Sequence, residues 1–202
     1  MPHKATILTV CTGNVCRSPL AEQLLTSHLR TIPGVTVHSA GTHALVGEPM
    51  PAKTREIARQ YGIRNVAAHR ARQLNEDLLE SSDLILTMTR EQRREVVELN
   101  PRTIRRVFTI REFARLAEVT SDEVLCSELQ SAGARTAERL RAVADVVKLS
   151  RHILPPLDDP AEDDVIDPYR RDDDVHRLSA RQLAPAVDGV AELLRRSLVR
   201  VH

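Results

Sequence analysis

Seven residues near the N-terminus, Cys11-Thr12-Gly13-Asn14-Val15-Cys16-Arg17, set a thiol and a guanidinium at the two ends of a C-x5-R spacing. The chemistry of such a pair is specific. A cysteine thiolate is a strong nucleophile, and backbone amides, a helix N-terminus or a nearby cation favour it near neutral pH. Arginine presents a planar fork that grips two oxygens of a tetrahedral oxyanion. Together they describe a thiolate beneath a cradle for a phosphoryl group. Gly13 and Asn14 suit the left-handed backbone that turns amides inward toward an anion. Ser18-Pro19 follow, an N-cap and a first-turn proline, so the loop feeds the positive end of a helix dipole. The bland alternative is a buried cysteine at a strand end beside a surface arginine. C-x5-R occurs often by chance, and the flanking elements are what favour the reactive reading.

Those elements alternate. ATILTV (5–10) is a β-branched, aliphatic run that predicts a buried strand, and leucines at helical spacing predict a helix over 18–30. VTVHSAG (35–41) predicts a second strand ending at a glycine, and AKTREIARQYG (52–62) a helix closed by Gly62. DLILTM (83–88) and TIRRVFTI (103–110) predict two more strands, with TREQRREVVEL (89–99) a helix between them and REFARLAEV helical after them. Residues 127–154 form one further helix candidate, with Leu140, Val143, Ala144, Val147 and Leu154 on one stripe. The C-terminal stretch 174–201 is helical, interrupted by a proline and a glycine. Strands alternating with helices predict an α/β fold, a parallel sheet covered on both faces with ligands at the carboxyl ends of its strands. The cysteine loop lies at such an end.

Composition narrows the class. The chain of 202 residues suits one domain with a real core, and its formal net charge of +1 gives no global reason to expect nucleic acid or membrane as a partner. With no Trp, two Tyr and two Phe, it has no aromatic platform for single-stranded nucleic acid. No secretory signal or membrane span is legible, so a cytoplasmic location is the expectation. Three cysteines argue against a structural disulfide framework.

C-T-G-N-V-C-R-S-P followed by A-E resembles the signature of the low-molecular-weight protein tyrosine phosphatases. The resemblance continues through SAGT (39–42), GEPMP (47–51), Y-G-I (61–63), H-R-A-R-Q-L (69–74) and D-L-I-L-T-M (83–88), and resumes at V-I-D-P-Y (165–169). It implies a flavodoxin-like doubly wound sheet of four parallel strands, and a phosphatase acting on phosphotyrosine-type aryl phosphates through a phosphocysteine. The substrate would be a phosphotyrosine-containing protein or a small aryl phosphate, and the product inorganic phosphate. No cofactor is implied, and the chain carries no convincing metal-ligand motif. The whole chain, 1–202, would be a single domain with a helical insertion at about 111–155. The oligomeric state stays open.

Carried onto this chain, the resemblance makes Cys11 the nucleophile and Arg17 the binder of the equatorial phosphoryl oxygens. Asp167 becomes the acid that protonates the leaving phenolate and later accepts a proton from water. Thr12, Gly13, Asn14, Val15, Cys16 and Ser18 complete the phosphate loop. Ser18 would donate a hydrogen bond to the thiolate, and Asn14 would hold the loop in shape with Ser39 and His69 as its supports. Cys16 stands where a second loop cysteine can trap an oxidised Cys11 as a disulfide. Cys126 matches no such position and reads as packing.

A second Asp-Pro pair, Asp159-Pro160, competes for the acid's role. Asp167 is preferred because Val165-Ile166 before it and Tyr169 after it should bury the carboxyl enough to hold a proton, and Tyr169 should wall the cleft. Several residues depart from the family pattern. Thr89 stands where an aspartate is common, Leu45 where the cleft is often aromatic, and Arg170 where a second aromatic or a glycine is frequent. The inserted segment reads as a packing helix or, more sharply, as a lid or dimer surface. Two competing functions use much of the same machinery. An arsenate reductase needs further relay cysteines, which LTMTREQRREV lacks. A non-catalytic phosphopeptide-binding module would tolerate loss of the nucleophile or acid, and both are present.

Overall fold

The computed structural model describes residues 4–64 and 66–198. Strands β1 (Ala5–Cys11), β2 (Val35–Gly41), β3 (Leu84–Thr87) and β4 (Val107–Thr109) form one sheet in the order β2-β1-β3-β4, every neighbouring pair parallel. Helices α1 (Arg17–His28), α2 (Ala52–Gln60), α3 (Glu76–Glu80), α4 (Arg90–Leu99) and α5 (Ile110–Val119) are joined by α6 (Asp122–Ser131), α7 (Thr136–Leu149) and α8 (Asp173–Leu198). Strand order reverses at β1, whose two neighbours lead away in opposite directions. A crevice opens at such a point, above the carboxyl ends of the strands.

Alternation along β1 divides the core. Ala5 and Ile7 face a layer with Leu24 and Leu25 of α1, Phe113 of α5, Val143 of α7 and Leu194 of α8. Leu8 and Val10 face the opposite layer with Leu79 of α3 and Val96 of α4. Thr9 interrupts the apolar run without being left unsatisfied, because its hydroxyl donates to the carbonyls of Ser18 (2.9 Å) and His38 (3.2 Å).

Several expected boundaries shift for identifiable reasons. Residues 103–106 do not join β4. Pro101–Arg105 is a 3₁₀ turn capped by the Asn100 side chain, so the strand keeps only Val107–Thr109. The helix expected over 127–154 is two helices. α6 starts earlier, with Ser121 as its cap, and stops at Ser131; α7 then starts afresh where Glu138 reaches back to the Arg135 amide. Conversely, Pro185 and Gly189 do not interrupt α8, which runs unbroken through both. A side chain at Gly189 would press within 3.2 Å of the Ala114 methyl, so the glycine sets how closely α8 approaches α5. The end of that expected helix, 199–201, lies outside the described residues. Cys126 is exposed on α6, so the packing role expected for it is not met.

Within the 111–155 segment, α7 packs as a core helix. In α7, Leu140, Val143, Ala144 and Val147 are buried in the core, while Leu154 is partly buried against it. Arg141 grips Asp83 (2.6 Å) at the amino end of β3, away from the cysteine loop.

Candidate active site

The loop from Cys11 to Arg17 is shaped by what its carbonyls are given to. Thr42, His43 and Leu45 donate their amides, each at 3.0 Å, to the carbonyls of Cys11, Thr12 and Gly13. In a trans peptide the carbonyl and the following N–H point oppositely, so the amides of Thr12, Gly13 and Asn14 turn the other way, as an anion cradle requires. This close approach explains Gly41, which pairs with Cys11 at the strand ends. A Cβ there would collide with the Thr12 carbonyl oxygen and crowd the Asn14 side chain. The left-handed turn is made by Asn14 alone, at φ 53°. Gly13 does not share it, contrary to expectation, and a methyl there would only touch Val15 and Leu45.

Asn14 is fully buried and ties the loop to two other segments. Its Nδ2 donates to Ser18 Oγ (2.9 Å), its Oδ1 accepts from the Arg72 amide (2.9 Å), and its carbonyl accepts from His69 Nε2 (2.7 Å). His69 therefore stands where it was expected. Ser39 does not. Its hydroxyl donates to Glu22 of α1 (2.5 Å), and only its carbonyl joins the surroundings, accepting from Arg72 Nε (2.7 Å). On β2 the side chain points toward α1, so Arg72 is the link that sequence reasoning assigned to Ser39.

Ser18 is no N-cap either. α1 begins at Arg17, with no side-chain cap at Cys16, and the buried Ser18 hydroxyl lies 2.9 Å from Cys11 Sγ. That hydroxyl accepts from Asn14, and its own proton has two acceptors within reach, Cys11 Sγ and the Ala40 carbonyl (3.4 Å). Arg17 is buried as well. Its guanidinium donates to the Val165 carbonyl (3.0 Å) and pairs with Asp167 (2.8 Å), while its Nε is shielded from solvent with no partner among the described residues.

A cavity of about 180 Å³ opens over these groups, lined by Cys11, Thr12, Gly13, Val15, Cys16 and Arg17 below and by His43, Leu45, Asp167 and Tyr169 at its walls. One lining position, His43, and one residue behind the cavity, Gln92, escaped the sequence. His43 follows the SAGT motif directly. Gln92 fixes Thr12 from behind, donating to its hydroxyl (3.0 Å) while accepting from the Met88 amide (3.1 Å). Gln92 lies in the first turn of α4, held by the Thr89 cap, and that placement was its only available signal.

The acid segment arrives as predicted, but in a different environment. The Val165 amide donates to the Met88 carbonyl (2.8 Å) and the Ile166 amide to Gln182 of α8 (2.9 Å). Asp167 follows, yet Ile166 turns outward and the Asp167 side chain is 51% exposed, so the apolar burial expected to hold its proton is missing. What orients it is the ion pair with Arg17 and the Tyr169 amide, which donates to its Oδ1 (3.1 Å). Asp159 is absent from the cavity; its carboxylate caps its own turn by accepting from the Ala161 amide (2.9 Å). Cys16 packs with Val15 and Ala71, and this burial pushes its thiol up to about 11 against a weaker opposing hydrogen bond with Thr54.

A family model described as low molecular weight phosphotyrosine protein phosphatase matches residues 6–125. The chain is 44% identical over 107 residues to a probable low molecular weight protein-tyrosine-phosphatase, EpsP, from Ralstonia solanacearum, covering 53% of this chain and 71% of that protein. It is 37% identical over 113 residues to a protein-arginine-phosphatase of Geobacillus stearothermophilus, covering 56% and 72%. Among solved structures, the YwlE arginine phosphatase from Geobacillus stearothermophilus superposes with a TM-score of 0.68 at 27% identity, covering 98% of this chain and 97% of that one.

Proposed function

This chain belongs to the low molecular weight phosphotyrosine protein phosphatase family, and from that premise we propose that it hydrolyses phosphotyrosine in proteins, releasing inorganic phosphate, with Cys11, Arg17 and Asp167 as its catalytic residues. The observation that carries this reading is the meeting of the three in one cavity. Cys11 Sγ lies 2.9 Å from the Ser18 hydroxyl, and Arg17 and Asp167 are paired at 2.8 Å beside it.

A phosphoryl group entering the loop takes the inward amides and the Arg17 fork. Its oxygens then compete with Asp167 for Arg17, which frees the acid to meet the leaving oxygen. Cys11 Sγ attacks phosphorus, the S–P bond forms as the P–O bond breaks, and protonated Asp167 gives its proton to the phenolate. Water then attacks the phosphocysteine, ionised Asp167 takes its proton, and the S–P bond breaks to release phosphate. Ser18 Oγ–H steadies the departing thiolate. Val15, Leu45 and Tyr169 supply apolar walls for an aryl ring.

The test is hydrolysis of an aryl phosphate by the wild type and by Cys11→Ser. The variant should lose turnover entirely; retention of more than about a hundredth of the wild-type rate would reject covalent catalysis by Cys11. The arginine phosphatases among the relatives favour a second reading, phosphoarginine as substrate. A phosphotyrosyl and a phosphoarginyl peptide of one sequence, compared by kcat/KM, decide between them. A higher value for the phosphoarginyl peptide would replace the tyrosine assignment.

A further inference from the structure

Beside the catalytic cavity lies a second, of about 550 Å³, that shares its Val15, Leu45 and Tyr169 walls. The second cavity is thus within reach of a polypeptide held by its phosphoryl group in the first. Two guanidinium groups line this groove, those of Arg55 and Arg170. Arg55 Nε is shielded from solvent without a hydrogen-bond partner among the described residues. Arg170 adopts φ 57°, and its guanidinium lies over the Tyr169 ring, 5.2 Å from the centroid.

Nearby acids are already engaged. Glu56 and Asp173 pair with Lys53, and Asp172 caps the start of α8 by accepting from the Val175 amide. Glu48 is the one carboxylate on the groove wall; it is exposed, and it leaves the groove one positive charge in excess. Ala52, the first residue of α2, also lines the groove, and neither a capping side chain nor an acidic residue in its first turn offsets the helix dipole.

Resting on the phosphatase reading above, we propose that this groove is a subsite for an anionic side chain carried by the substrate polypeptide beside its phosphorylated residue. The anion is a carboxylate or a second phosphoryl group. Arginine binds either through charge-assisted, paired hydrogen bonds, and the Tyr169 face under Arg170 holds one of the two forks in place.

Three phosphotyrosyl peptides test it: one flanked on both sides by glutamate, its glutamine counterpart, and a doubly phosphorylated version. The glutamate peptide should exceed the glutamine peptide in kcat/KM by roughly tenfold, the scale of one or two hydrogen bonds to a charged group. High salt should erode that margin, since the groove is open to solvent. Arg55→Gln and, independently, Arg170→Asn should shrink it, asparagine being chosen because it tolerates a left-handed backbone. A small aryl phosphate, which has no flanking chain, should be hydrolysed equally by wild type and Arg55→Gln. A larger gain for the doubly phosphorylated peptide identifies phosphoryl as the better occupant, and a gain for glutamate alone identifies carboxylate. Equal rates for all three peptides, with aryl phosphate hydrolysis intact, overturn the subsite and leave the phosphatase reading standing. Failure to hydrolyse the aryl phosphate at all overturns the phosphatase reading instead.

Discussion

Cys11 and Cys16 are both buried, at 2% and 3% exposure, but their surroundings assign them different chemistry. Cys11 faces the Ser18 hydroxyl and the mouth of the cavity. Cys16 is packed against Val15 and Ala71, with its thiol pushed up to about 11, so at neutral pH it stays protonated. A protonated thiol attacks slowly, which limits Cys16 as a rapid trap for an oxidised Cys11. Alkylation isolates this effect. In a Cys11→Ser, Cys126→Ser chain only Cys16 remains to react. Its rate with iodoacetamide should climb about tenfold per pH unit from neutrality, with no plateau until the pH nears 11. A plateau near the ordinary thiol value would show that burial does not govern this group.

At the scale of elements, the informative contrast is between the two Asp-Pro turns. Both sequences read alike, yet the segment around Val165 is tied to the end of β3 and to α8, whereas Asp159 only closes a 3₁₀ turn of its own. The tether delivers Asp167 to Arg17. Asp167→Asn should therefore slow hydrolysis of an aryl phosphate with a poor leaving group by roughly 10²-fold, the scale of a lost general acid, and Asp159→Asn should change little. A leaving group that departs unaided should blunt the Asp167 effect. A larger loss in Asp159→Asn would mean that the wrong turn has been assigned to the acid.

The whole molecule separates stability from chemistry along the strand direction. The phosphate loop sits at the carboxyl ends of the strands, and α7 anchors Asp83 at the amino end of β3 while filling the core with Leu140, Val143 and Val147. Leu140 is fully buried, so Leu140→Ala should destabilise the fold by about 2–5 kcal/mol. Thermal or urea unfolding measures that loss, and kcat at moderate temperature should be unchanged. A fall in kcat without a fall in stability would mean that α7 acts on the site after all.

Local chemistry was legible from the chain alone. C-x5-R between a strand and a helix start and the strand spans of β1 and β2 follow from residue type and spacing, because backbone propensity and side-chain reactivity are local properties; Leu45 and Asp167 were expected from the family resemblance. Long-range partners were not. That Arg72 rather than Ser39 serves Asn14, that Gln92 holds Thr12 and that Gly41 must lack a side chain depend on segments brought together from distant parts of the chain. Sequence reasoning also placed Asp167 in an apolar setting from its neighbours, but adjacent residues on an extended loop point different ways. Val165 turned into the core, Ile166 turned to solvent, and the ion pair to Arg17, 150 positions away in the numbering, decided the carboxylate's environment.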